Sequence, residues 1–312
     1  VPLPPGIIIA NRYEVIKSLG RGGVGEVYEA RHLQTKMVVA LKLLHPYVRQ
    51  DEAIYKRFQR EARAVGMLSS PYVARMLDML EDPQQGPAII FELLVGETLH
   101  ERLRRTPRLD VLAIDVLVRE SLRGLKDAHA AGIIHRDLKP ANIFLQQRVG
   151  VPFQVKLLDF GISKLAELII TPLTKPQQSL GSLAFMPPEQ FERAAEVDGR
   201  ADLYALGTVV FRAFTGELPH PSSTISEMLT CKRHDVARSL GAVSGLAFDP
   251  QIEAWMSRML AREPAHRYSS ASEALAAWQA LPLWLEGATS GPSSRPPPSG
   301  TRGSGAPVSG LT

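Results

Sequence analysis

Apolar and polar positions divide the chain into two regimes. Over residues 12–95 the apolar residues come in short runs of strand character, broken by one clear helix near residues 52–68. Over residues 99–283 the pattern is mostly helical, with strand-like pieces near residues 133–161. Val15 and Ile16 precede a glycine-rich stretch and Val27 and Tyr28 follow it, which predicts strand–loop–strand, a hairpin. "MVVALKLL" (37–44) predicts another strand, with Lys42 in its middle. In the helix, Ile54, Phe58, Val65 and Leu68 fall on one face, and Glu61 splits the long gap between Phe58 and Val65. An ammonium in an apolar strand and a carboxylate on an inward stripe each need a partner, so Lys42 and Glu61 are expected to pair. The plainer reading, a solvated Glu61, leaves Lys42 unexplained.

Three further stretches carry chemistry. In "GIIHRDLKPANIFL" (132–145), Ile133 and Ile134 on one side and Ile143, Phe144 and Leu145 on the other read as two short buried strands. Pro140 between them breaks any helix and forces a loop. A loop held at both ends is rigid and can aim its polar groups. A simple polar turn gives no reason for Arg136 and Lys139 beside Asp137 and Asn142. In "VKLLDFGISK" (155–164), Val155, Leu157 and Leu158 make a strand that Asp159 ends. Asn142 and Asp159 thus offer oxygen at the ends of buried strands, as a hard cation such as Mg²⁺ requires. The third stretch, Gly20-x-Gly22-x-x-Gly25, is weak evidence alone. A dinucleotide loop would run into a helix. Here a strand follows, and the glycines let main-chain N–H groups approach a phosphate; an ordinary glycine-rich hairpin is the alternative on this motif alone. Together the three stretches form a site for a nucleoside triphosphate and its metal.

Composition narrows the class. With 312 residues and 45% hydrophobic content the chain can bury one large or two smaller cores. A net charge of +4 is small for this length and gives no nucleic-acid signal. The single cysteine, Cys231, excludes an internal disulfide and a cysteine metal cluster, and fits a reducing compartment. None of the eight histidines sits in HxxxH spacing. No apolar run approaches the ~18 residues of a membrane span. "VPLPPGIII" lacks the features of a signal peptide, and a start at Val suggests a piece of something longer. From Glu286 onward the chain is mostly Gly, Pro and Ser with almost no apolar content, and reads as a flexible tail or linker.

The motifs "LGRGGVGEVYEA", "VALK", Glu61 in "FQREA", "HRDLKPAN", "DFG", "GSLAFMPPEQ", "DLYALG" and "AHRY" occur in the order found in eukaryotic-type Ser/Thr protein kinases. The chain resembles that family, closest to its bacterial branch, over about residues 12–283. The resemblance implies an α+β bilobal fold: a small β-rich N-lobe (12–95) and a larger helical C-lobe (96–283). Residues 1–11 would be an N-terminal extension and 284–312 a tail. It implies an ATP site in which Gly20, Arg21, Gly22, Gly23, Val24, Gly25 and Glu26 form the phosphate loop. Leu19, Val27, Ala40 and Phe144 would sandwich the adenine, and Glu92, Leu93 and Leu94 would form a hinge behind a Phe91 gatekeeper. Lys42 would bind phosphate and pair with Glu61. Asp137 would orient and deprotonate the substrate hydroxyl, Lys139 would neutralise the transferred group, and Asn142 and Asp159 would hold Mg²⁺, or Mn²⁺ in its place. His135, Asp202, Glu189 and Arg267 would be scaffold, the last two as a buried salt bridge.

The resemblance further implies protein substrates, no nucleic-acid partner, and self-association for autophosphorylation. A cytoplasmic location follows, free-standing or as the cytoplasmic part of a membrane-tethered protein. Arg136, with Lys164, would receive a phosphate from the activation segment. Thr174 is the favoured acceptor and Ser179 the runner-up; Thr171 precedes Pro172, which suits another class of kinase. Ser182 stands where the family usually has Thr and keeps the hydroxyl that would meet Asp137 and Lys139. Pro187-Pro188-Glu189 replaces the usual Ala-Pro-Glu, and Ser70-Pro71 the usual His-Pro. Two other readings compete. A non-catalytic relative would lack Lys42, Asp137 or Asp159, and all are present. A small-molecule phosphotransferase usually lacks a segment as long as residues 162–186.

Overall fold

The computed structural model describes residues 2–21, 25–45, 52–160, 181–192 and 197–282. Six strands form one antiparallel sheet: β1 (Ile8–Ile9), β2 (Tyr13–Arg21), β3 (Gly25–His32), β4 (Val38–Leu44), β5 (Met76–Asp82) and β6 (Gly86–Glu92), in the order β1-β2-β3-β4-β6-β5. The expected hairpin is β2–β3, and the expected lysine-bearing strand is β4. Strand periodicity of two sorts their residues between faces. Tyr13, Val15, Tyr28, Ala30, Val39 and Leu41 bury on one side with Ile9, Ala88 and Ile90. Ala40 and Lys42 alternate with Val39 and Leu41 and so point to the other face. Residues 2–11, read as an extension, lie along this sheet: β1 pairs with β2, and the Ala10 N–H donates to the buried Asp82 carboxylate at 2.6 Å.

α1 (Glu52–Gly66) follows β4. Phe58 and Val65 are buried, as the pattern predicts, but the residue between them on the stripe is Ala62, 0% exposed. A helix of 3.6 residues per turn places i, i+4 and i+7 in line, so Phe58, Ala62 and Val65 share the inward face and Glu61 sits half-buried at its edge. The inward slot assigned to Glu61 belongs to Ala62.

The helical half contains α2 (Leu99–Arg105), α3 (Val111–Ala130), α4 (Pro188–Glu192), α5 (Arg200–Thr215), α6 (Ile225–His234), α7 (Leu240–Ser244), α8 (Pro250–Met259) and α9 (Ala271–Gln279). A small antiparallel sheet, β7 (Gly96–Thr98), β8 (Ile143–Gln146) and β9 (Gln154–Leu157), lies at its top. α3 is capped by Asp110 and turns Ile114, Leu117, Val118, Leu122 and Leu125 inward. α5 is buried almost all round, which its apolar sequence permits only at the centre of a core. The Trp278 indole N–H donates to the buried Asp115 carboxylate at 3.0 Å, tying α9 to α3.

Ile133 and Ile134 do not form the strand their apolar character suggested. The amides of Ala131, Gly132 and Ile133 bond back to the last carbonyls of α3, with Gly132 in the left-handed conformation (φ +73°). Their N–H groups are spent terminating the helix. Residues 283–312, which hold the expected tail, lie outside the described residues.

Arg267 is fully buried and bidentate on Glu189, at 2.6 and 2.8 Å, as anticipated. It also donates to the carbonyls of Ala261, Arg200 and Arg262. Truncating one member of such a pair strands the other's charge, at about 3–5 kcal/mol. Arg267→Ala should therefore lower the denaturant midpoint by that much stability, with circular dichroism showing whether a folded state survives at all.

Candidate active site

The loop after α3 is held from below by one carboxylate. Asp202, in the first turn of α5 and 1% exposed, accepts from the main-chain N–H of His135 and of Arg136, both at 2.8 Å, and meets His129 Nε2 at 2.8 Å. Burial alone would raise its pKa; the bond to His129 and the positive charge beside it hold it below the usual carboxylate value. These bonds hold the chain where it turns left-handed at Arg136, φ +63°, a backbone that a residue with a side chain adopts only when its surroundings insist. His135 Nε2 donates to the Leu158 carbonyl at 2.9 Å, leaving Nδ1 to accept the Asp137 N–H at 3.3 Å. His135 thereby ties this loop to the segment after β9, its ring 4.5 Å from that of Phe160.

On this support sit the charged groups. Lys139 Nζ lies 2.9 Å from Asp137 Oδ2 and 3.2 Å from the Ser182 hydroxyl. The Asn142 amide donates to the Asp137 carbonyl at 2.8 Å and to its carboxylate at 3.0 Å. Pro140 does not forbid helix here. It opens a single 3-10 turn, Pro140–Asn142, because a helix's first residue needs no N–H donor.

Across the cleft Lys42, 6% exposed, ion-pairs with Asp159 at 2.6 Å. The pair expected with Glu61 is not among the ion pairs of the described residues. The carboxylate that Lys42 meets is the one that follows β9. Asp159 is also left-handed, at φ +54°. Burial works to raise its pKa, and the Lys42 charge and hydrogen bond, aided by Lys139, bring it below the usual value.

A cleft of about 430 Å³ collects these groups, a volume suited to a small ligand. Leu19, Val27, Ala40 and Phe144 line it, as do Gly20, Arg21 and Gly25. Phe91, Glu92, Leu93 and Leu94 close one side, and Lys42, Asp137, Lys139, Asn142 and Asp159 stand at the polar end. Neither Glu61 nor Glu26 is part of the lining; the Glu26 carboxylate is engaged by the Tyr28 hydroxyl and by Arg21 at 3.5 Å. Gly22, Gly23, Val24, Lys164, Thr171, Thr174 and Ser179 lie outside the described residues. Gly25 is glycine for a packing reason: a Cβ there would stand 2.1 Å from the Leu43 carbonyl oxygen on β4.

The structure adds residues that the sequence reading passed over. Ala74, Thr98, Ala141 and Leu158 also line the cleft. Thr98 carried a readable signal, since Thr98 and Glu101 form a capping box at the start of α2. Lys156, buried on β9, donates to the Glu92 carboxylate at 2.6 Å, and the Arg75 N–H donates to the same oxygen at 2.9 Å. The Glu92 side chain is therefore committed to joining strands.

A β-sheet lobe over a helical lobe, with a lysine–aspartate pair above an Asp–Lys–Asn loop, defines a bilobal protein kinase fold. The family model "Protein kinase domain" matches residues 13–278, and the chain belongs to that family. It is 35% identical over 288 residues to the serine/threonine-protein kinase pkn3 of Myxococcus xanthus, covering 88% of this chain and 51% of that one. It is 33% identical over 270 residues to PknB of Mycobacterium tuberculosis, covering 85% and 42%. Among solved structures, the Mycobacterium tuberculosis PknI kinase domain superposes with a TM-score of 0.67 at 29% identity, covering 89% of this chain and 99% of that one. The chain spans about half or less of the length of these curated relatives. It is a protein kinase domain of the bacterial Ser/Thr type.

Asp202 yields a test. Asp202→Asn removes an acceptor charge from two main-chain donors, so stability at pH 7 should fall by about 1–3 kcal/mol. A lowered carboxylate pKa stabilises the fold above the ordinary value near ~4 and loses that contribution as pH falls through the folded value. The stability gap between wild type and variant should therefore narrow in acid, as read by urea unfolding at successive pH values.

Proposed function

We propose that the domain transfers the γ-phosphoryl group of Mg-ATP to Ser and Thr hydroxyls of proteins. The observation that carries this reading is the constellation of Asp137, Lys139, Asn142 and Ser182 on one side of the cleft and Lys42 with Asp159 on the other. Phosphoryl transfer needs positioning and charge stabilisation more than covalent catalysis. Leu19, Val27, Ala40 and Phe144 supply apolar faces for a base. Lys42 is a buried ammonium whose charge suits the α- and β-phosphates. Asp137 accepts the proton of the substrate hydroxyl, and Lys139, already bonded to a hydroxyl at Ser182, places positive charge beside the group in transit.

The residues present fit a magnesium ion. The Asn142 nitrogen is committed to Asp137, which leaves its carbonyl oxygen as a ligand, and Asp159 has a second carboxylate oxygen beyond the one on Lys42. Oxygen donors of this kind are what Mg²⁺ or Mn²⁺ takes. When bound, the metal neutralises charge between phosphates.

The proposed kinase domain runs from residue 12 to 283. Among the described residues no helix is long and apolar enough to cross a membrane. Protein substrates and self-association for autophosphorylation are part of the same reading.

Incubation with labelled ATP, magnesium and a protein substrate is the direct test. Asp137→Asn should leave nucleotide affinity within a few fold while kcat falls by orders of magnitude, whereas Lys42→Met should lose transfer with the fold kept. A matching loss of ATP affinity in Asp137→Asn would reassign Asp137 to nucleotide binding.

Arg136 precedes Asp137, and in this reading it receives a phosphate from the activation segment together with Lys164. Nearly two negative charges and three acceptor oxygens suit such a pair. Phosphatase treatment should lower the initial rate, and Thr174→Ala should do so more than Ser179→Ala. Full rates from dephosphorylated enzyme and from both variants would remove the switch.

A further inference from the structure

Lys232, on α6, is 3% exposed and has no part in the chemistry above. A buried lysine must be compensated by specific acceptors. Here the acceptors all belong to one short stretch of main chain. Nζ donates to the carbonyls of Leu183, Ala184 and Met186, at 3.1, 2.8 and 2.6 Å. The rings of Tyr204 and Phe191 stand 5.6 and 5.9 Å from it, close enough for their faces to favour a cation. Burial pushes its pKa down to about 7 against the opposing pull of Glu189; three carbonyl dipoles at hydrogen-bond distance favour the ammonium form.

The stretch that Lys232 gathers is placed beside the reacting groups. It begins one residue after Ser182, whose hydroxyl accepts from Lys139. It ends before α4, where Gln190 donates to the Arg136 carbonyl at 3.0 Å. Within it, Ala184 and Phe185 are buried. A hydroxyl presented to Asp137 by a polypeptide brings flanking residues past this main chain, whereas a nucleotide and a water molecule reach Asp137 without it. Lys232 is not among the residues that line the cleft, and its three bonds hold the main chain between Ser182 and Pro187.

We infer that Lys232 is a positioning residue for the protein substrate: by clamping the carbonyls of Leu183, Ala184 and Met186 it shapes the surface against which the polypeptide around the acceptor hydroxyl lies. This rests on the protein-kinase reading above.

The test compares wild type with Lys232→Met, which keeps the length and apolar stem, in the full chain. The readouts are KM and kcat with dephosphorylated casein, KM for ATP, and slow hydrolysis of ATP by water. The inference expects KM for casein to rise about tenfold while KM for ATP and the hydrolysis rate stay within about twofold. A merely structural role would lower kcat for both reactions through loss of folded enzyme and leave both KM values in place, which overturns it. If thermal melting shows that Lys232→Met does not fold, Lys232→Gln, which retains two N–H donors, decides by the same readouts. Failure of both variants to fold also overturns it, because Lys232 is then a stability residue. Wild type that transfers phosphate, with casein KM unchanged in the variants, sinks the inference alone. Wild type that neither binds ATP nor modifies casein sinks the kinase reading and the inference with it.

Discussion

The geometry of the site depends on one buried carboxylate accepting two consecutive main-chain N–H groups. The amides of His135 and Arg136 converge on its two oxygens, and the chain turns left-handed immediately after them, at Arg136, φ +63°. Such a conformation costs on the order of 1–3 kcal/mol and persists when its surroundings over-determine it. Asp202 supplies that determination with two charge-assisted bonds at 2.8 Å, from a helix that is itself the centre of the helical core. Asp137 follows directly, its side chain braced by Lys139 and Asn142. The polar end of the cleft is thus connected by a few short bonds to a helix buried almost all round.

Charge in and around the cleft is arranged as lysine–carboxylate pairs: Lys42 with Asp159, Lys139 with Asp137, and Lys156 with Glu92. The third is structural and joins the end of β6 to β9. The first two face the same space. A polyphosphate entering that space brings its own acceptors, so both lysines can exchange part of a carboxylate for a phosphate without being left uncompensated. The pairs keep the charges hydrogen-bonded in a low-dielectric setting before any ligand arrives.

Much of this was legible from the residues alone, and what failed did so for identifiable reasons. The β2–β3 hairpin, β4 and its lysine and the acidic group after β9 follow from local periodicity and from the need of buried charges for partners, whereas the Glu189–Arg267 bridge was expected from the family resemblance. The pattern did not single out Ala62, because dividing a seven-residue gap as three and four is as consistent with helical spacing as four and three; packing makes Ala62 the more deeply buried of the two. The strand at Ile133 and Ile134 failed because apolar character does not reveal where main-chain amides go, and there they cap α3. Lys156 and Lys232 were invisible for a related reason: each is buried by contacts distant in sequence, with partners 64 and 46–49 residues away.

The two-residue strand β1 has a consequence for handling the protein. β2 would otherwise be the outer strand of the sheet, presenting a row of open hydrogen-bonding groups to any passing chain. The first residues cover part of that row: β1 pairs at Glu14 and Tyr13, the Gly6 N–H donates to the Val15 carbonyl, and Asp82 anchors Ala10. Trimming the chain to the start of β2, as a boundary drawn at residue 12 or 13 invites, would bare a sticky edge. Such a shortened domain would retain every group of the cleft and yet be prone to self-adhesion and poor solubility.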